Sequence, residues 1–243
     1  RTTDLPVFVT IAVDESGHTV TGSSLLPVVI TLQAMGVDAI GLNCLLDPML
    51  SLIEEVRLHT AVPIIAKPNA RNSDGTLLSP AAFAEKMRLL MQAGARIVGG
   101  YDDSTPAHIS ALKKVAQEFG PPEIAKEPDN YAATIETEAF FLGDDLVFSE
   151  PLACTGHLDD DLIDLDDDRC YTALVEIESI DDPYGLAENS SMTRLPIAVH
   201  CDSAPILEAA LRYFQGRLIV DSECQIEDEI LEPLSSKYGA ILY

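Results

Sequence analysis

The sequence predicts an α/β protein of (βα)8 TIM-barrel type. Three features predict it. Short runs rich in Val and Ile recur along the chain, and each leads into an amphipathic stretch of helical spacing. The runs are apolar throughout rather than alternating, which is the pattern of parallel strands covered on both faces. The two halves also share one rhythm of βα units, separated by a connector that breaks it. An open doubly wound sheet is the alternative fold built from the same ingredients.

In the first half the expected strands are Val7 to Val13, Ala39 to Asn43, Pro63 to Lys67 and Ile97 to Gly100. The helix from Pro80 to Ala93 is the best specified. Pro80 suits a first turn, Phe83, Met87, Leu90 and Met91 fall on one face, and Gly94 suits a C-terminal stop. Between Gly120 and Leu146 the rhythm gives way to Pro121-Pro122 and a polar stretch. There Thr134 to Phe141 is expected as an extended hairpin arm around Gly143-Asp144-Asp145. Strands resume at Leu146 to Phe148, Ala173 to Ile177, Ile197 to His200, Leu218 to Val220 and Ala240 to Leu242, with helices at Leu207 to Phe214 and Glu227 to Lys237. The stretch from His157 to Asp168 is rich in aspartate and poor in helix formers, so a solvated loop is expected, and Asp182 to Arg194 is loop-like as well. This organisation gives three segments: 1–120, a connector at 121–145, and 146–243.

The 243 residues carry 15 Lys and Arg against 40 Asp and Glu, a formal net charge of -25 that repels nucleic-acid phosphates and anionic lipid. No apolar run reaches the roughly 18 residues that span a bilayer, and Arg1 to Pro6 lacks the apolar core of a signal peptide. A cytoplasmic protein is expected. Cys44, Cys154, Cys170, Cys201 and Cys224 are scattered and form no CxxC pair, so they read as reduced thiols. Arg1 in place of a start methionine admits a piece of a longer chain. The histidines are isolated, without HxH or HExxH spacing, and the acidic stretch lacks the DxDxDG loop of a calcium site. His200-Cys201-Asp202, at an expected strand end, is the one place where a histidine lies beside other reactive groups.

An ordered series of motifs runs through residues 6 to 115: VTIAVDESGHTV from Val9, TGSSLLPVVITLQAMGVDAIGLNC ending at Cys44, PIIAKPNA at Pro63 to Ala70, AGARIVGG at Ala93 to Gly100, and STPAHISAL at Ser104 to Leu112. The series resembles the homocysteine-binding barrel of the cobalamin-dependent methionine synthase and homocysteine S-methyltransferase family. The resemblance implies methyl transfer to a thiol, with the thiol ionised by zinc on three cysteines. Cys44 stands at the first of those ligands. Tyr101 and Asp102 stand at the other two, in GGYDDSTP where the family has GGCCGTTP. By the same resemblance Asn43, Cys44, Asn69, Tyr101 and Asp102 line the substrate site, and Cys44 and Asp102 are the remaining candidate metal ligands.

The second half resembles the pterin-binding barrel that follows in the same enzymes. LPIAVHCDS at Leu195 to Ser203 matches a strand ending in an Asp-Ser pair, and ILEAALRYFQGRLIVDS matches the next helix and strand. VFSEPLACTG and ALVEIES stand where the family has a GERxNxTG signature and a DVN strand end. The resemblance implies a methyltetrahydrofolate site at Glu150, Glu176, Asp202, Ser203, Asp221 and Ser222, but Glu178 and Asp221 replace the expected asparagines.

In the family each barrel has eight strands, whereas this chain supplies about half of each. A single hybrid barrel made from the two halves is therefore expected, with completion by a homodimer as the alternative. Zinc and methyltetrahydrofolate are the family's cofactors, yet their ligands are largely missing here. A corrinoid protein remains a candidate partner, since the chain lacks a DxHxxG motif of its own. Three readings follow: a methyltransferase of this type with impaired or lost sites, a non-catalytic barrel that binds a small molecule or a partner, and an acidic metal site at Asp102, Asp103 and Asp202.

Overall fold

The computed structural model describes residues 4–119, 131–167 and 172–243. It is a mixed α/β structure with parallel sheets. The first half alternates β1 (Phe8–Ala12), α1 (Leu25–Ala34), β2 (Ala39–Asn43), α2 (Leu46–Val56), β3 (Ile64–Ala66), α3 (Pro80–Ala93), β4 (Ala95–Val98) and α4 (Pro106–Ala116). Its four strands pair in parallel in the order β1-β2-β3-β4. The second half opens with an antiparallel hairpin, β5 (Ala132–Thr134) and β6 (Ala139–Phe141). It continues with β7 (Leu152–Ala153), α5 (Leu158–Asp167), β8 (Ala173–Glu176), α6 (Asp182–Asn189), β9 (Ile197–His200), α7 (Ala204–Tyr213), β10 (Ile219–Val220), α8 (Asp228–Tyr238) and β11 (Ile241–Leu242). These last five strands form a parallel sheet in the order β11-β10-β9-β8-β7.

The chain divides into two compact units. Of the described residues, one contains 4–25 and 37–119, the other 26–36, 131–167 and 172–243. Nearly all of α1 therefore belongs with the second half, a membership that the βα rhythm does not reveal. Within that unit the Thr31 hydroxyl lies 2.8 Å from the Thr134 hydroxyl. At Gly239 (φ 70) a Cβ would lie 2.6 Å from the Ala34 carbonyl carbon, so only glycine lets the end of α8 come this close to α1. Arg217 ties the same region together: its Nε donates to the Gly239 carbonyl at 2.6 Å and its Nη1 to the Ala132 carbonyl at 3.0 Å.

The five-stranded sheet separates two apolar faces with a period of two residues. Val175, Ile177, Val199 and Val220 pack against Leu158 and Leu162 of α5, Leu186 of α6, Leu207 of α7 and Leu231 of α8. The opposite face carries Leu174, Ala198, Ile219 and Ile241, packed with Ala133, Leu142, Leu146 and Phe148.

In the other unit α3 forms where its sequence places it. The Ser79 hydroxyl accepts from the Ala82 amide at 3.2 Å, Pro80 occupies the first turn, and Gly94 ends the helix at φ 136. Phe83, Met87, Leu90 and Met91 are buried on its one apolar face.

Several elements differ from expectation. The aspartate-rich stretch is a helix as far as Asp167, because Leu158 and Leu162 are four residues apart and both fully buried. Asp159, Asp160 and Asp161 sit in its first turn, where the helix dipole favours carboxylates. Asp182 to Asn189 is also helical. Leu186 is buried there, and the Asp182 carboxylate accepts from the Glu178 and Ser179 amides, each at 2.8 Å. The hairpin turns at Ile135–Glu138, closed by the Ile135 amide on the Glu138 carbonyl, and not around Gly143. Of Leu146 to Phe148 only Phe148 makes a strand bridge, to Thr172. The last strand of the first sheet starts at Ala95 and ends at Val98, two residues earlier than expected.

Gly41, central in β2, leaves no room for a side chain: a Cβ would lie 2.6 Å from Ile65 Cβ and 2.8 Å from Thr10 Cγ2. Gly41→Ala is expected to cost about 1–3 kcal/mol by overpacking, read as a lowered urea midpoint. Gly143→Ala, with no atom within 4 Å of the added carbon, is expected to leave the midpoint unchanged.

Candidate functional site

In α/β sheets of this kind ligands meet the chain at the C-terminal ends of the strands. In the N-terminal unit that edge holds all the residues expected around a thiol site. Asn43 ends β2 and Cys44 follows it. The Cys44 carbonyl accepts from the Asn69 amide at 3.3 Å, the Asp102 carbonyl from the Ala70 amide at 3.0 Å, and the Pro68 carbonyl from the Tyr101 amide at 3.0 Å. The backbone thus brings three neighbouring loops together.

Their side chains part company. Cys44 is buried at 8% exposure, whereas Tyr101 is 51% exposed and Asp102 is exposed as well. The Lys67 ammonium lies 5.7 Å from the centre of the Tyr101 ring. Asp103, in the left-handed region at φ 63, takes a forked bond from Arg71 at 2.5 and 3.0 Å, which holds its carboxyl below the usual range. Asn43 directs Nδ2 to Thr10 Oγ1 at 3.4 Å, while its Oδ1 is buried without a hydrogen-bond partner.

Zinc does not fit this donor set. A zinc-bound cysteine must be a thiolate, and burial pushes the Cys44 thiol the other way, up to about 12. No second sulfur stands at position 101 or 102, and the Asp102 side chain is in solvent. Among the described residues no group of three or more His, Cys, Asp and Glu is placed to hold a metal ion. The acidic alternative at Asp102, Asp103 and Asp202 therefore lacks such a group too.

The C-terminal unit presents a different edge. Glu176 and His200 are register partners on β8 and β9. Asp221 follows Val220, the partner of Val199, and Tyr243 follows Leu242, the partner of Val220. Each lies two residues beyond a member of the apolar row Leu174, Ala198, Ile219 and Ile241, so Glu176, His200, Asp221 and Tyr243 continue that face as a polar row. His200 Nδ1 is 2.7 Å from Asp221 Oδ2, and Nε2 is 3.6 Å from Asp202 Oδ1. The next loop fixes both carboxylates, since the Glu223 amide donates to Asp221 Oδ1 at 2.9 Å and the Gln225 amide to Asp202 Oδ1 at 2.7 Å.

The remaining pterin-site candidates have other tasks or face solvent. Ser203 precedes α7, where its carbonyl accepts from the Cys201 thiol and the Leu207 amide. The Ser222 hydroxyl donates to the Tyr243 carbonyl at 2.8 Å, and Glu150 is exposed. Methyltetrahydrofolate is not matched by this edge. His200 engages Asp221, Asp202 is held by a loop amide, and the acidic rim opposes the ligand's own carboxylates.

The His200–Asp221 pair is what the sequence reading missed. The two residues lie 21 positions apart, and only the register of β9 against β10 brings them together. The period-two run from Leu174 to Glu176 and from Ala198 to His200 was the available signal.

Residues 1–116 match the family model described as homocysteine S-methyltransferase. Among curated proteins, methionine synthase of Mycobacterium tuberculosis is 24% identical over 90% of this chain and 21% of its own length. Methionine synthase of Mycobacterium leprae is 32% identical over 43% of this chain and 10% of its own length. The chain thus spans about a fifth or less of the relatives it matches. Of solved structures, a mutant tryptophan synthase α-subunit from Pyrococcus furiosus overlaps 98% of this chain and 86% of its own, at 10% identity and a TM-score of 0.33. The chain is thus similar to methionine synthases, over residues 1–116 by the homocysteine S-methyltransferase match and over most of its length by the Mycobacterium tuberculosis relative.

The Cys44 thiol yields a pH prediction. Its folded pKa, about 12, lies above the roughly 8.5 of an unfolded thiol, so between those values the unfolded chain binds fewer protons and stability falls as pH rises. Cys154, pushed up to about 11 by burial, acts in the same direction. Urea titrations between pH 8 and 11 are expected to show that decline, and Cys44→Ala is expected to make it shallower.

Proposed function

We propose that this chain is a methionine synthase-like member of the methyl-transfer lineage in which the loops after the strands of the N-terminal unit bind a small molecule without zinc and without ionising a bound thiol. The observation that carries the reading is the donor set: one buried, protonated cysteine beside a tyrosine and a solvent-facing aspartate, where three sulfurs would be needed. The buried Asn43 Oδ1 without a donor supports a retained polar ligand, because a buried acceptor left unpaired costs about 1–3 kcal/mol. A small thiol is the class of ligand favoured by lineage. The non-catalytic alternative shares this site and differs only in lacking turnover.

No helix among the described residues is long and apolar enough to cross a membrane. Cys44, Cys154, Cys201 and Cys224 are free thiols, which supports the proposal of a reducing, cytoplasmic setting. A corrinoid carrier, if one takes part, is proposed as a separate chain.

The test is metal analysis joined to a homocysteine assay on the purified chain. Expected are less than stoichiometric zinc and no zinc-dependent methionine formation; one tightly held zinc with turnover would overturn the reading. Tyr101→Cys combined with Asp102→Cys is expected to raise zinc affinity by at least about 10-fold, the scale on which ligand-shell changes act. Competition with a chromophoric chelator reads that change.

A further inference from the structure

We propose that His200, oriented by Asp221, is a proton acceptor for a thiol that also carries a positive charge, bound at the C-terminal edge of the five-stranded sheet. The proposal rests on the preceding reading, since a second means of ionising a thiol is needed only where zinc does not supply it.

Three observations converge on this pair. The first is orientation. Asp221 Oδ2 lies 2.7 Å from Nδ1, and a carboxylate can only accept, so Nδ1 carries the hydrogen, and in the neutral ring the lone pair is on Nε2. Asp221 is itself held by the Glu223 amide, which makes the arrangement a base steered by a fixed third group. The second is placement. The imidazole is 30% exposed and stands where the face opposite the helices turns from the buried apolar row of Leu174, Ala198, Ile219 and Ile241 to polar groups at the strand ends. A histidine kept for packing would sit as His108 does, at 3% exposure, with Nδ1 on Thr105 and Nε2 on the Leu78 carbonyl. The third is incomplete satisfaction. Among the described residues Nε2 makes no hydrogen bond, and Asp202 Oδ1 at 3.6 Å lies just beyond range.

The chemistry of the edge selects the ligand. Asp202 and Asp221 flank the imidazole with carboxylates, and Glu176 is the register partner of His200 on β8; this negative edge repels an anionic ligand and attracts an ammonium group. A thiol of pKa about 8.5 lies within roughly two units of imidazole, close enough for proton transfer. In that transfer the S–H bond breaks, the electron pair stays on sulfur, and the proton forms the Nε2–H bond. Asp221 and Asp202 then face an imidazolium flanked by a thiolate. The reverse transfer restores both partners, and no oxidant or metal is required.

Cysteamine is the probe, with 2-mercaptoethanesulfonate as its anionic counterpart. Calorimetry measures binding to the full chain, and the ultraviolet thiolate band, corrected for protein alone, measures ionisation at pH 7. Bound cysteamine is expected to show at least about ten times the thiolate fraction of the free thiol, which is a few per cent at that pH. His200→Asn keeps a side-chain donor toward Asp221 but removes Nε2, and it is expected to abolish the band while preserving the melting temperature. Asp221→Asn is expected to weaken the band and Asp221→Glu to restore part of it. Three outcomes would overturn the proposal: no cysteamine binding, a band equal in wild type and His200→Asn, or tighter binding of the sulfonate. Zinc is assayed in the same samples. A band that follows zinc and ignores His200→Asn overturns the earlier reading, whereas zinc-free protein without a band overturns this proposal alone.

Discussion

The in-register parallel pairing of β8, β9 and β10 is the constraint on which the candidate chemistry depends. Side chains alternate across a strand, so once Ala198 is fixed on the face opposite the helices by its apolar neighbours, His200 must emerge on that face too. Pairing of Val199 with Val220 then sets Asp221 beside it at the following position. A slip of one residue in either strand would send Asp221 toward the helices, where a carboxylate would be buried without a partner. The apolar packing of α5, α6, α7 and α8 on the other face enforces the register. Core packing and site geometry are one arrangement here.

The two strand-end clusters differ in the kind of charge they can hold. Around Cys44 the environment is dry and offers no positive partner within the donor set, so desolvation dominates and the thiol stays protonated. Around His200 both carboxylates are pinned by loop amides, Asp202 half in solvent and Asp221 mostly covered, so they hold fixed positions beside the ring. Soft-ligand chemistry needs several sulfurs converging on one point. The strand ends of the N-terminal unit have a single sulfur, facing inward. Acid–base chemistry needs only one oriented ring with an open nitrogen, and the C-terminal edge has that.

Elements whose apolar residues dominate their neighbours were legible in the sequence. β2, α3 and β9 lie where the pattern placed them, because continuous Val and Ile runs and a Pro-to-Gly frame leave few alternatives. The misread segments are those in which weak local propensity opposed a long-range contact. In α5 two leucines four residues apart outweigh a run of aspartates, since burying each contributes about 1.5–3 kcal/mol whereas each aspartate costs some tenths. In α6 the Asp182 carboxylate, by accepting from the Glu178 and Ser179 amides, fixes the loop that leads into the helix, and no count of residue types anticipates that bond. The placement of α1 with the second half is of the same kind.

By itself the sequence determined the α/β class, the order of most strands and helices, the likeness to methionine synthases, and the absence of a sulfur triad from GGYDDSTP. These are properties of spacing and identity along the chain. The tertiary structure alone decided that Cys44 turns into the core while Tyr101 and Asp102 turn out, and that His200 meets Asp221 across two strands. The reason is that burial and hydrogen bonding between distant residues depend on strand register and helix packing, which are set by the whole core at once and by no single stretch of sequence.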